Sequence, residues 1–402
     1  METERLYYQD AYCKNFEARV LECTPGNSRW ELVLDRTAFY PEGGGQPADT
    51  GELTYTNDEG MDSRVRISDV HERGDRIVHY AVAPVEAGTC VTGRIDWERR
   101  FDLMQQHTGE HIVSGIIHKT FGYDNKGFHM GADVITIDLN GPMTEQDLAM
   151  IEEMACRVIW EDRNVRILFP SDGELASIEY RSKKEISGQV RIVDIDGADV
   201  CACCGTHVAR TGEVGMVKLL SVVKFRDGVR IEMICGGRVL RYLNMLQRQN
   251  HEVSVSLSAK PEQTAQAVQR LLDEAYALRG RIHELEESDF AGKAQSLAGK
   301  GDVLLFEKGL EADSVRRLTD AVTHTCGGRC AVFSDNADGT YKYAIGLENG
   351  DLRSLTKEMN RILNGRGGGK PFFVQGQVKA NEEEIRSFFT SENRGNCEGA
   401  CD

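Results

Sequence analysis

The chain has 402 residues, which is too long for one compact hydrophobic core and suits two or three domains. Apolar residues make up 40% of it, enough for globular packing, and the formal net charge of −16 argues against general affinity for nucleic acid. No run approaches the length of a membrane-spanning helix, and the N-terminal METERLYYQD is too charged for a signal peptide. We therefore expect a soluble, cytoplasmic protein.

Short strand-like runs fill residues 1–95. The segments ARVLEC, WELVLD, ELTYT, VRISDV and RIVHYAV are rich in β-branched and apolar residues, and Gly, Asn and Asp separate them. A glycine-rich stretch from Thr37 to Leu53 follows the second run. This spacing predicts a small N-terminal β-barrel.

Helix and strand patterns alternate in residues 96–237, which predicts a domain of the α+β class. One helix is expected from Arg99 to near Gly122, and a second in TEQDLAMIEEMACRVIWED. The strand-like runs of this part are VITIDL, VRILF, VRIVDI, EVGMVKLLSVVKF and VRIEMI.

Residues 238–298 predict a helical, coiled-coil-like linker. Pro261 suits the first turn of a helix. The apolar residues that follow it occupy alternating a and d heptad positions: Val268, Leu271, Ala275, Leu278, Ile282 and Leu285. An antiparallel hairpin, a dimer interface and an ordinary helix pair all fit this pattern.

Residues 299–402 predict a C-terminal α/β domain, because apolar strand-like runs alternate there with helix-like ones. We expect this domain to contact phosphate or to form a homodimer. Between Arg361 and Lys379 it contains four basic and no acidic residues. Within that segment Gly367, Gly368, Gly369 and Lys370 offer backbone N–H groups and an ammonium group, which suit phosphate. A solvated loop is the alternative.

Two pairs of side chains predict a metal site. His107 and His111 are four residues apart on the expected helix, so one face can offer both imidazoles to one metal ion. Cys203 and His207 supply a second pair, and a thiolate with imidazoles favours zinc over magnesium or calcium. We predict one Zn²⁺ ion held by these four residues, with Cys204 as a competitor of Cys203.

The same helix segment also fits the inverzincin peptidase pattern H-x-x-E-H, in which Glu110 is the general base. That alternative needs a third ligand, usually a carboxylate, and gives Cys203 and His207 no role. Glu110 remains a candidate catalytic base in either reading, and a surface carboxylate is the simpler explanation. For the pairs Cys326/Cys330 and Cys397/Cys401 we expect structural or incidental thiols.

The order H-x-x-x-H then C-x-x-x-H resembles the editing domain of alanyl-tRNA synthetase and of its free-standing relatives, the alanyl-tRNA editing proteins of the long AlaX class. TAFYPEGGGQPADTGEL is similar to the glycine-rich motif of that family, and GRGGGKPFFVQGQ is similar to its C-terminal domain, which DHH-type phosphoesterases share. The phosphoesterase signature itself is absent from the sequence, as is any resemblance to an ATP-binding aminoacylation domain.

The resemblance implies a trans-editing hydrolase that deacylates mischarged tRNA(Ala), chiefly Ser-tRNA(Ala) and also Gly-tRNA(Ala), in a zinc-containing pocket. It implies that part of the glycine-rich motif lies near the acceptor end of the tRNA: Thr37, Gly43, Gly44, Gly45 and Gln46. We further expect the C-terminal domain to bind tRNA outside the acceptor end, through Gly367, Gly368, Gly369 and Lys370. Thr37, Thr108 and Gln46 are candidates for recognising the serine hydroxyl. A non-catalytic tRNA-binding zinc module is a further alternative.

Two positions depart from the family pattern. Cys204 stands where C-G-G-T-H has its first glycine, and Glu110 stands where the synthetases carry a small hydroxyl residue. Four protein ligands normally make a closed zinc site, whereas catalytic sites keep one position open. Both roles of the zinc ion, activating water and holding substrate, therefore stay open at this point.

Overall fold

The computed structural model describes residues 2–26, 28–56, 60–182, 189–336 and 338–395. It divides into two compact units, Met1–Glu252 and Val253–Asp402. The four-part division expected from the sequence is finer than this and stays a prediction. Within the described ranges, no helix is long and apolar enough to cross a membrane.

The first part of unit 1 is a closed six-stranded barrel in which all neighbouring strands are antiparallel. Its strands are β2 (Asn15–Pro25), β3 (Trp30–Leu34), β5 (Gly51–Thr56), β6 (Asp62–Arg73), β7 (Arg76–Ala81) and β8 (Cys90–Ile95), in the spatial order β2-β3-β7-β6-β5-β8. Alternate residues such as Val20, Leu53 and Ile67 fill the interior with no exposed surface. Beside the barrel lie β1 (Glu4–Arg5), α1 (Leu6–Gln9) and β4 (Arg36–Thr37). The barrel prediction is confirmed.

The remainder of unit 1 packs helices against two antiparallel sheets. Its elements are α2 (Trp97–Phe121), β9 (Asn125–Met130), β10 (Ile135–Leu139), α3 (Glu145–Trp160), β11 (Val165–Leu168), α4 (Asp172–Leu175), β12 (Ile192–Ile195), β13 (Asp199–Ala202), β14 (Val217–Phe225), β15 (Gly228–Cys235) and α5 (Gly237–Ser256). The sheet orders are β14-β15-β10-β9 and β11-β12-β13. Helix α5 runs past the boundary between the units.

Helix α2 begins and ends for local reasons. Asp96 is its N-cap residue, so the helix starts two residues before the predicted Arg99. At the other end Gly122 adopts the left-handed conformation, with φ of 72°, and its N–H bonds the His118 carbonyl. The long central part of α2 is buried, which places both histidines of the predicted metal site inside the protein.

One buried ion pair joins α2 to the barrel. Arg100 is fully buried and pairs with Asp49, which is 1% exposed. The other guanidinium nitrogens donate to the carbonyls of Ala11, at 2.8 Å, and Ala38, at 2.6 Å. Asp49 also accepts the backbone N–H of Tyr40 at 2.7 Å. The barrel and α2 therefore share one fully bonded charge pair.

Unit 2 contains a long helix and a five-stranded sheet covered by helices. Its elements are α6 (Thr264–Ser296), β16 (Gly301–Glu307), α7 (Ala312–Cys326), β17 (Gly327–Asp335), β18 (Tyr341–Leu347), α8 (Arg353–Ile362), β19 (Arg366–Lys370), β20 (Phe373–Val378) and α9 (Glu382–Gly395). The strand order is β16-β17-β18-β20-β19, and only the pair β16–β17 is parallel. The predicted C-terminal α/β domain is confirmed.

Helix α6 leaves most of its predicted heptad positions in solvent. A short 3-10 turn with Pro261 at its start leads into the helix, as predicted. Leu271, Leu278, Ile282 and Leu285 are 52–57% exposed within this single chain. The periodicity expected from the sequence is therefore present on the helix, and the partner of this apolar face stays a prediction.

Candidate metal centre

Four side chains meet inside unit 1, and they are the four that the sequence singled out. His107 and His111 come from α2, while Cys203 and His207 come from the segment after β13. Their ligand atoms all lie within 4.8 Å of one another. The Sγ atom of Cys203 is 3.4 Å from His107 Nε2 and 3.5 Å from His207 Nε2.

These spacings fit a tetrahedral zinc ion. With Zn–N distances of about 2.0–2.1 Å and a Zn–S distance of about 2.3 Å, neighbouring ligand atoms are roughly 3.5 Å apart. The distances from Cys203 Sγ to the Nε2 atoms of His107 and His207, 3.4 and 3.5 Å, match that separation. Three imidazoles and one thiolate are also a donor set that zinc prefers.

Each imidazole of the cluster has a hydrogen-bond partner at Nδ1. The pairs are His107 with Gln46 Oε1 at 2.9 Å, His111 with Asp199 Oδ2 at 3.0 Å and His207 with Thr108 Oγ1 at 3.2 Å. Such bonds orient the ring and leave Nε2 as the ligand atom. The buried Asp199 is itself held by Arg181, whose Nε and Nη2 atoms donate to its two oxygens at 2.8 Å.

The electrostatics of the cluster favour metal-binding protonation states for two of the ligands. Burial raises the pKa of Cys203, but His107 and His111 beside it hold that pKa well below its usual value. Burial lowers the pKa of His207 to about 3, so its ring is neutral. Burial also opposes the charged form of His111, but the Cys203 thiolate and Asp199 raise its pKa well above the usual value. Metal binding would therefore displace a proton from His111.

Two glycines allow the close packing around His107. A Cβ atom on Gly205 would lie 2.1 Å from His107 Cε1 and 2.9 Å from Gln46 Oε1. A Cβ atom on Gly45 would lie 2.7 Å from Phe128, whose ring stacks on the ring of His107 with centroids 5.3 Å apart. A larger residue at Gly205 would clash with His107, and one at Gly45 would clash with the Phe128 ring that stacks on His107.

The predicted acceptor-end motif contributes a turn beside the cluster. Gly43 and Gln46 exchange backbone hydrogen bonds of 3.1 and 2.9 Å, and Gly44 and Gly45 have positive φ values of 60° and 84°. Gln46 is fully buried, and its side-chain amide also donates to Thr206 Oγ1 at 2.8 Å. The turn thus places the Gln46 side chain within hydrogen-bond distance of His107.

Thr37 lies on β4, beside the barrel, with its hydroxyl already bonded. Its Oγ1 atom is 2.8 Å from Nε2 of the buried His79, and it accepts the N–H of Phe39 at 3.1 Å. The Thr108 hydroxyl is likewise bonded, to His207 and to the N–H of Val208. With Gln46 bonded as well, the three candidates for the serine hydroxyl all have their polar atoms in contacts within the protein.

Glu110 is buried, with 1% of its surface exposed, so the expectation of a surface carboxylate is wrong. Ser114 Oγ and Asn125 Nδ2 donate to its Oε1 atom at 2.5 and 2.6 Å. Its Oε2 atom lies 3.9 Å from His111 Nε2. One oxygen is thus anchored, and the other lies beside the cluster.

Cys203 and Cys204 differ in their surroundings. Cys203 belongs to the four-residue cluster, whereas Cys204 is exposed and lies near Tyr8. A second grouping of Asp199 and Cys201 with His111 is also present, but Arg181 already occupies both oxygens of Asp199. The geometry thus brings Cys203, and not its neighbour, into the candidate cluster; its role as a metal ligand stays a prediction.

Comparison with known proteins decides the family. An alanyl-tRNA editing protein AlaX-L from Pyrococcus horikoshii is 30% identical over 406 residues, which cover 95% of this chain and 96% of that protein. The chain belongs to the AlaX-L family of alanyl-tRNA editing proteins. This membership was predicted from the metal-ligand pairs and the two glycine-rich segments.

Alanine–tRNA ligases align with this AlaX-L chain over part of their own length. The enzyme of Ignicoccus hospitalis is 33% identical over 380 residues, covering 92% of this chain and 40% of that protein. The enzyme of Pyrococcus abyssi is 32% identical over 394 residues, covering 94% of this chain and 42% of that protein. The chain therefore spans about 40% of the length of these ligases.

Family models match three parts of this AlaX-L chain. The model of tRNA synthetases class II (A) matches residues 3–99, which contain the barrel. The model of the threonyl and alanyl tRNA synthetase second additional domain matches residues 190–232, which contain Cys203 and His207. The DHHA1 domain matches residues 299–393, the sheet domain of unit 2.

The predicted phosphate-binding run of this AlaX-L chain is an edge strand and not a loop. Residues Arg366–Lys370 form β19, which pairs with β20 on one side and is fully exposed. Gly368, Gly369 and Lys370 border an open groove of about 510 Å³. Three further residues on its walls suit a nucleic acid: Arg316, His324 and Phe372. Strand β19 and this groove belong to unit 2 alone.

Sequence reasoning missed the supporting residues of the centre: Asp199, Arg181, Thr206, Gly205 and Phe128. Asp199 stands four residues before Cys203, a spacing that alone does not identify a carboxylate behind a histidine. The thiols of Cys326 and Cys330 are buried and free, and neither is in a candidate metal group among the described residues. Cys397 and Cys401 lie outside the described residues.

Proposed function

We propose that this AlaX-L protein is a trans-editing hydrolase that deacylates mischarged tRNA(Ala), with Ser-tRNA(Ala) as chief substrate and Gly-tRNA(Ala) as a second one. The observation that carries the proposal is the cluster of three oriented imidazoles and one thiolate in a chain of this family. Editing of an aminoacyl ester needs a group that attracts the carbonyl oxygen and a base that accepts a proton from water. The centre offers both.

His107, His111, Cys203 and His207 would hold the zinc ion. Bound there, zinc supplies Lewis-acid chemistry that attracts and polarises an ester carbonyl. Three neutral imidazoles and one thiolate would leave the centre with about one positive charge, which suits a carbonyl or ribose oxygen. Because the protein would fill all four coordination positions of the zinc ion, we assign to the ion the role of holding the substrate. We assign proton transfer to a side chain.

Glu110 is the side chain best placed to accept that proton. Its Oε1 atom is fixed by Ser114 and Asn125, which limits rotation of the carboxylate. Its Oε2 atom, 3.9 Å from His111 Nε2, borders the space that the substrate ester would occupy. A water molecule between this oxygen and the ester carbon would lose its proton to Glu110 as its oxygen attacks the carbon. The bond from that carbon to the ribose oxygen would then break, and the departing ribose oxygen would take the proton from Glu110.

We also propose that the groove of unit 2 contacts tRNA away from the acceptor end. Lys370 supplies positive charge, and Phe372, 50% exposed, offers a stacking surface. The exposed backbone of β19 adds N–H groups. Replacing Lys370 by Glu should weaken tRNA binding without changing hydrolysis of a short seryl-adenosine ester; equal tRNA affinity would refute this contact.

The peptidase alternative is weaker than editing because it requires a carboxylate as third ligand. The side chains that complete the cluster are instead Cys203 and His207. A non-catalytic module would show tRNA binding with an intact ester. Neither alternative has a specific observation in its favour within the described residues.

The decisive experiment compares deacylation of Ser-tRNA(Ala), Gly-tRNA(Ala) and Ala-tRNA(Ala) by the zinc-loaded protein. We expect rapid loss of the seryl ester, slower loss of the glycyl ester and retention of the alanyl ester. Removing the metal with a chelator should abolish the activity, and adding zinc should restore it. Equal rates on all three esters, or chelator-resistant activity, would contradict the proposal.

A further inference from the structure

A row of aromatic side chains runs from the surface of unit 1 to the turn beside the metal centre. Phe169, 45% exposed, contacts the half-buried Tyr8, with ring centroids 6.4 Å apart. Tyr8 contacts Tyr7 at 4.6 Å, and Tyr7 contacts Tyr40 at 5.4 Å. The Tyr40 hydroxyl donates to the Gly43 carbonyl at 3.1 Å. The inner end of the row is thus continuous with the turn that carries the His107 partner.

Arg191 lies against the outer part of this row and against the metal centre. Its guanidinium carbon is 5.3 Å from the centroid of the Tyr8 ring. Its Nη1 atom donates to the Cys203 carbonyl at 2.6 Å, and its own carbonyl accepts the Cys203 N–H at 3.1 Å. The arginine is therefore fixed to the backbone of a proposed ligand.

The Nε atom of Arg191 has no hydrogen-bond partner among the described residues, although only 7% of the residue is exposed. A buried donor without an acceptor destabilises the folded protein, and a guanidinium nitrogen does so more than a neutral group. A ligand with an acceptor oxygen or nitrogen would satisfy it. Guanidinium groups preferentially bind phosphate oxygens and stack with aromatic rings, including bases.

We infer that Phe169, Tyr8 and Arg191 form a subsite for the terminal nucleotide of the acceptor strand. This inference rests on the proposed function and adds the part of the substrate that is not the amino acid. The scissile ester joins the amino acid to the terminal ribose, so the base and phosphate must lie one sugar away from the metal centre. In this subsite the rings of Phe169 and Tyr8 contact the base, and Arg191 Nε donates a hydrogen bond to a phosphate or ribose oxygen.

This arrangement suits every aminoacyl-tRNA, because all of them end in the same adenosine. The subsite therefore contributes affinity without distinguishing serine from alanine. Cys204, which is exposed and follows Cys203, lies near Tyr8, so the aromatic row and the metal centre are neighbours along this segment. Under this proposal, different residues of one site recognise the nucleotide and the amino acid.

The test measures binding of two probes by calorimetry: adenosine 5′-monophosphate and 3′-deoxy-3′-serylamino-adenosine, whose amide bond replaces the ester. Replacing Phe169 by Ala should weaken binding of both probes about tenfold, since stacking of one base contributes roughly that much. Arg191→Lys, which keeps the charge, should weaken binding of both probes as well. The matched control is Trp160→Ala, which removes an aromatic ring that is 69% exposed at the end of α3.

Zinc content of each variant, measured by mass spectrometry, separates loss of the subsite from damage to the metal centre. Retained zinc with weakened binding supports the subsite. Wild-type affinity of the Phe169→Ala and Arg191→Lys variants would overturn it. Deacylation by the wild-type protein is measured separately: its absence would refute the proposed function, while the binding comparison still decides the nucleotide subsite.

Discussion

Gln46 Oε1 lies 2.9 Å from Nδ1 of His107, so the last residue of the glycine-rich turn orients a proposed zinc ligand. The same oxygen accepts the N–H of Thr206, and the amide nitrogen donates to the Thr206 hydroxyl. Gln46 thus links the barrel-side turn, helix α2 and the C-x-x-x-H segment. These bonds give Gln46 a positioning contact with His107, and the substrate contact that the family resemblance implies stays a prediction.

Replacing Gln46 by Ala should therefore lower zinc affinity by about 10–100-fold, because the His107 ring would lose the bond that fixes its orientation. A competition titration with a chromogenic chelator measures the affinity. Gln9→Ala, which removes an exposed glutamine of unit 1, serves as the control. Unchanged zinc affinity in Gln46→Ala would show that the ring is held by packing alone.

The neighbouring cysteines should differ sharply in metal binding. Cys203→Ala removes a sulfur 3.4 Å from His107 Nε2, so we expect loss of stoichiometric zinc. Cys204→Ala should keep about one zinc ion per chain, because the Cys204 side chain is exposed and is not part of the candidate cluster. Metal analysis of the purified variants decides between the two; the reverse pattern would assign the ligand to Cys204.

Glu110→Gln should slow deacylation of Ser-tRNA(Ala) about 10²–10⁴-fold, the range typical of a lost general base. Glutamine is nearly isosteric and can keep the bonds to Ser114 and Asn125, so zinc content should be unaffected. Single-turnover kinetics measure the chemical step. Glu98→Gln, an exposed glutamate on the same helix, is the control, and equal rates in both variants would remove Glu110 from the mechanism.

The barrel should lose stability on acidification through His79. Burial lowers the pKa of this histidine to about 4 from the usual 6.5, so the folded state favours the neutral ring. The stabilisation is present above pH 6.5 and is lost as pH falls towards 4, by roughly 3 kcal/mol over that window. All three tryptophans, Trp30, Trp97 and Trp160, lie in unit 1, so their fluorescence follows its unfolding.

His79→Gln should reduce this pH dependence, because the side chain at the site would no longer gain a proton on unfolding. The variant is expected to be less stable than the wild type at pH 7, since the bonds to Thr37 and the Leu32 carbonyl would be weakened. The slope of stability against pH is the decisive quantity. A wild-type slope between pH 6.5 and 4 would place the titrating group elsewhere.

We propose that the apolar face of α6 forms a homodimer interface. Leu278 and Leu285 are 57% and 56% exposed, and burying them in a coiled coil would remove apolar surface from water. The double substitution of both leucines by Glu should convert a dimer into a monomer, as measured by light scattering. Arg270→Glu adds the same residue to the same helix outside the heptad positions. A monomeric wild type would contradict this interface.

Sequence patterns predicted the barrel, α2 and the ligand set because strand alternation and helical spacing are local properties. The strand β9, with the sequence NKGFHM, escaped prediction because it lacks alternation of apolar and polar residues, yet it carries the Phe128 that stacks on His107. The run EVGMVKLLSVVKF was expected to be one strand, but its first residues form a 3-10 turn before β14 begins at Val217.

The supporting contacts of the centre depend on long-range packing and had no sequence signal. Glu110 illustrates the limit, since it is buried with the central part of α2 and bonded by Asn125 of β9, a strand that the sequence did not predict. Likewise, the glycines before Lys370 suggested a loop, but pairing with β20 extended them into a strand. The residue type at a position indicates which chemistry is available there. The residues packed against it in the folded protein determine whether that chemistry is used.

The Arg100–Asp49 pair links the barrel to the helix that follows it. Loss of the Asp49 side chain would leave the buried guanidinium group without its counter-charge, and removing one partner of a buried pair typically costs about 3–5 kcal/mol. Loss of Arg100 would leave the buried carboxylate unpaired in the same way. A substitution at either residue is therefore expected to weaken both the barrel and α2, because the two share this one pair.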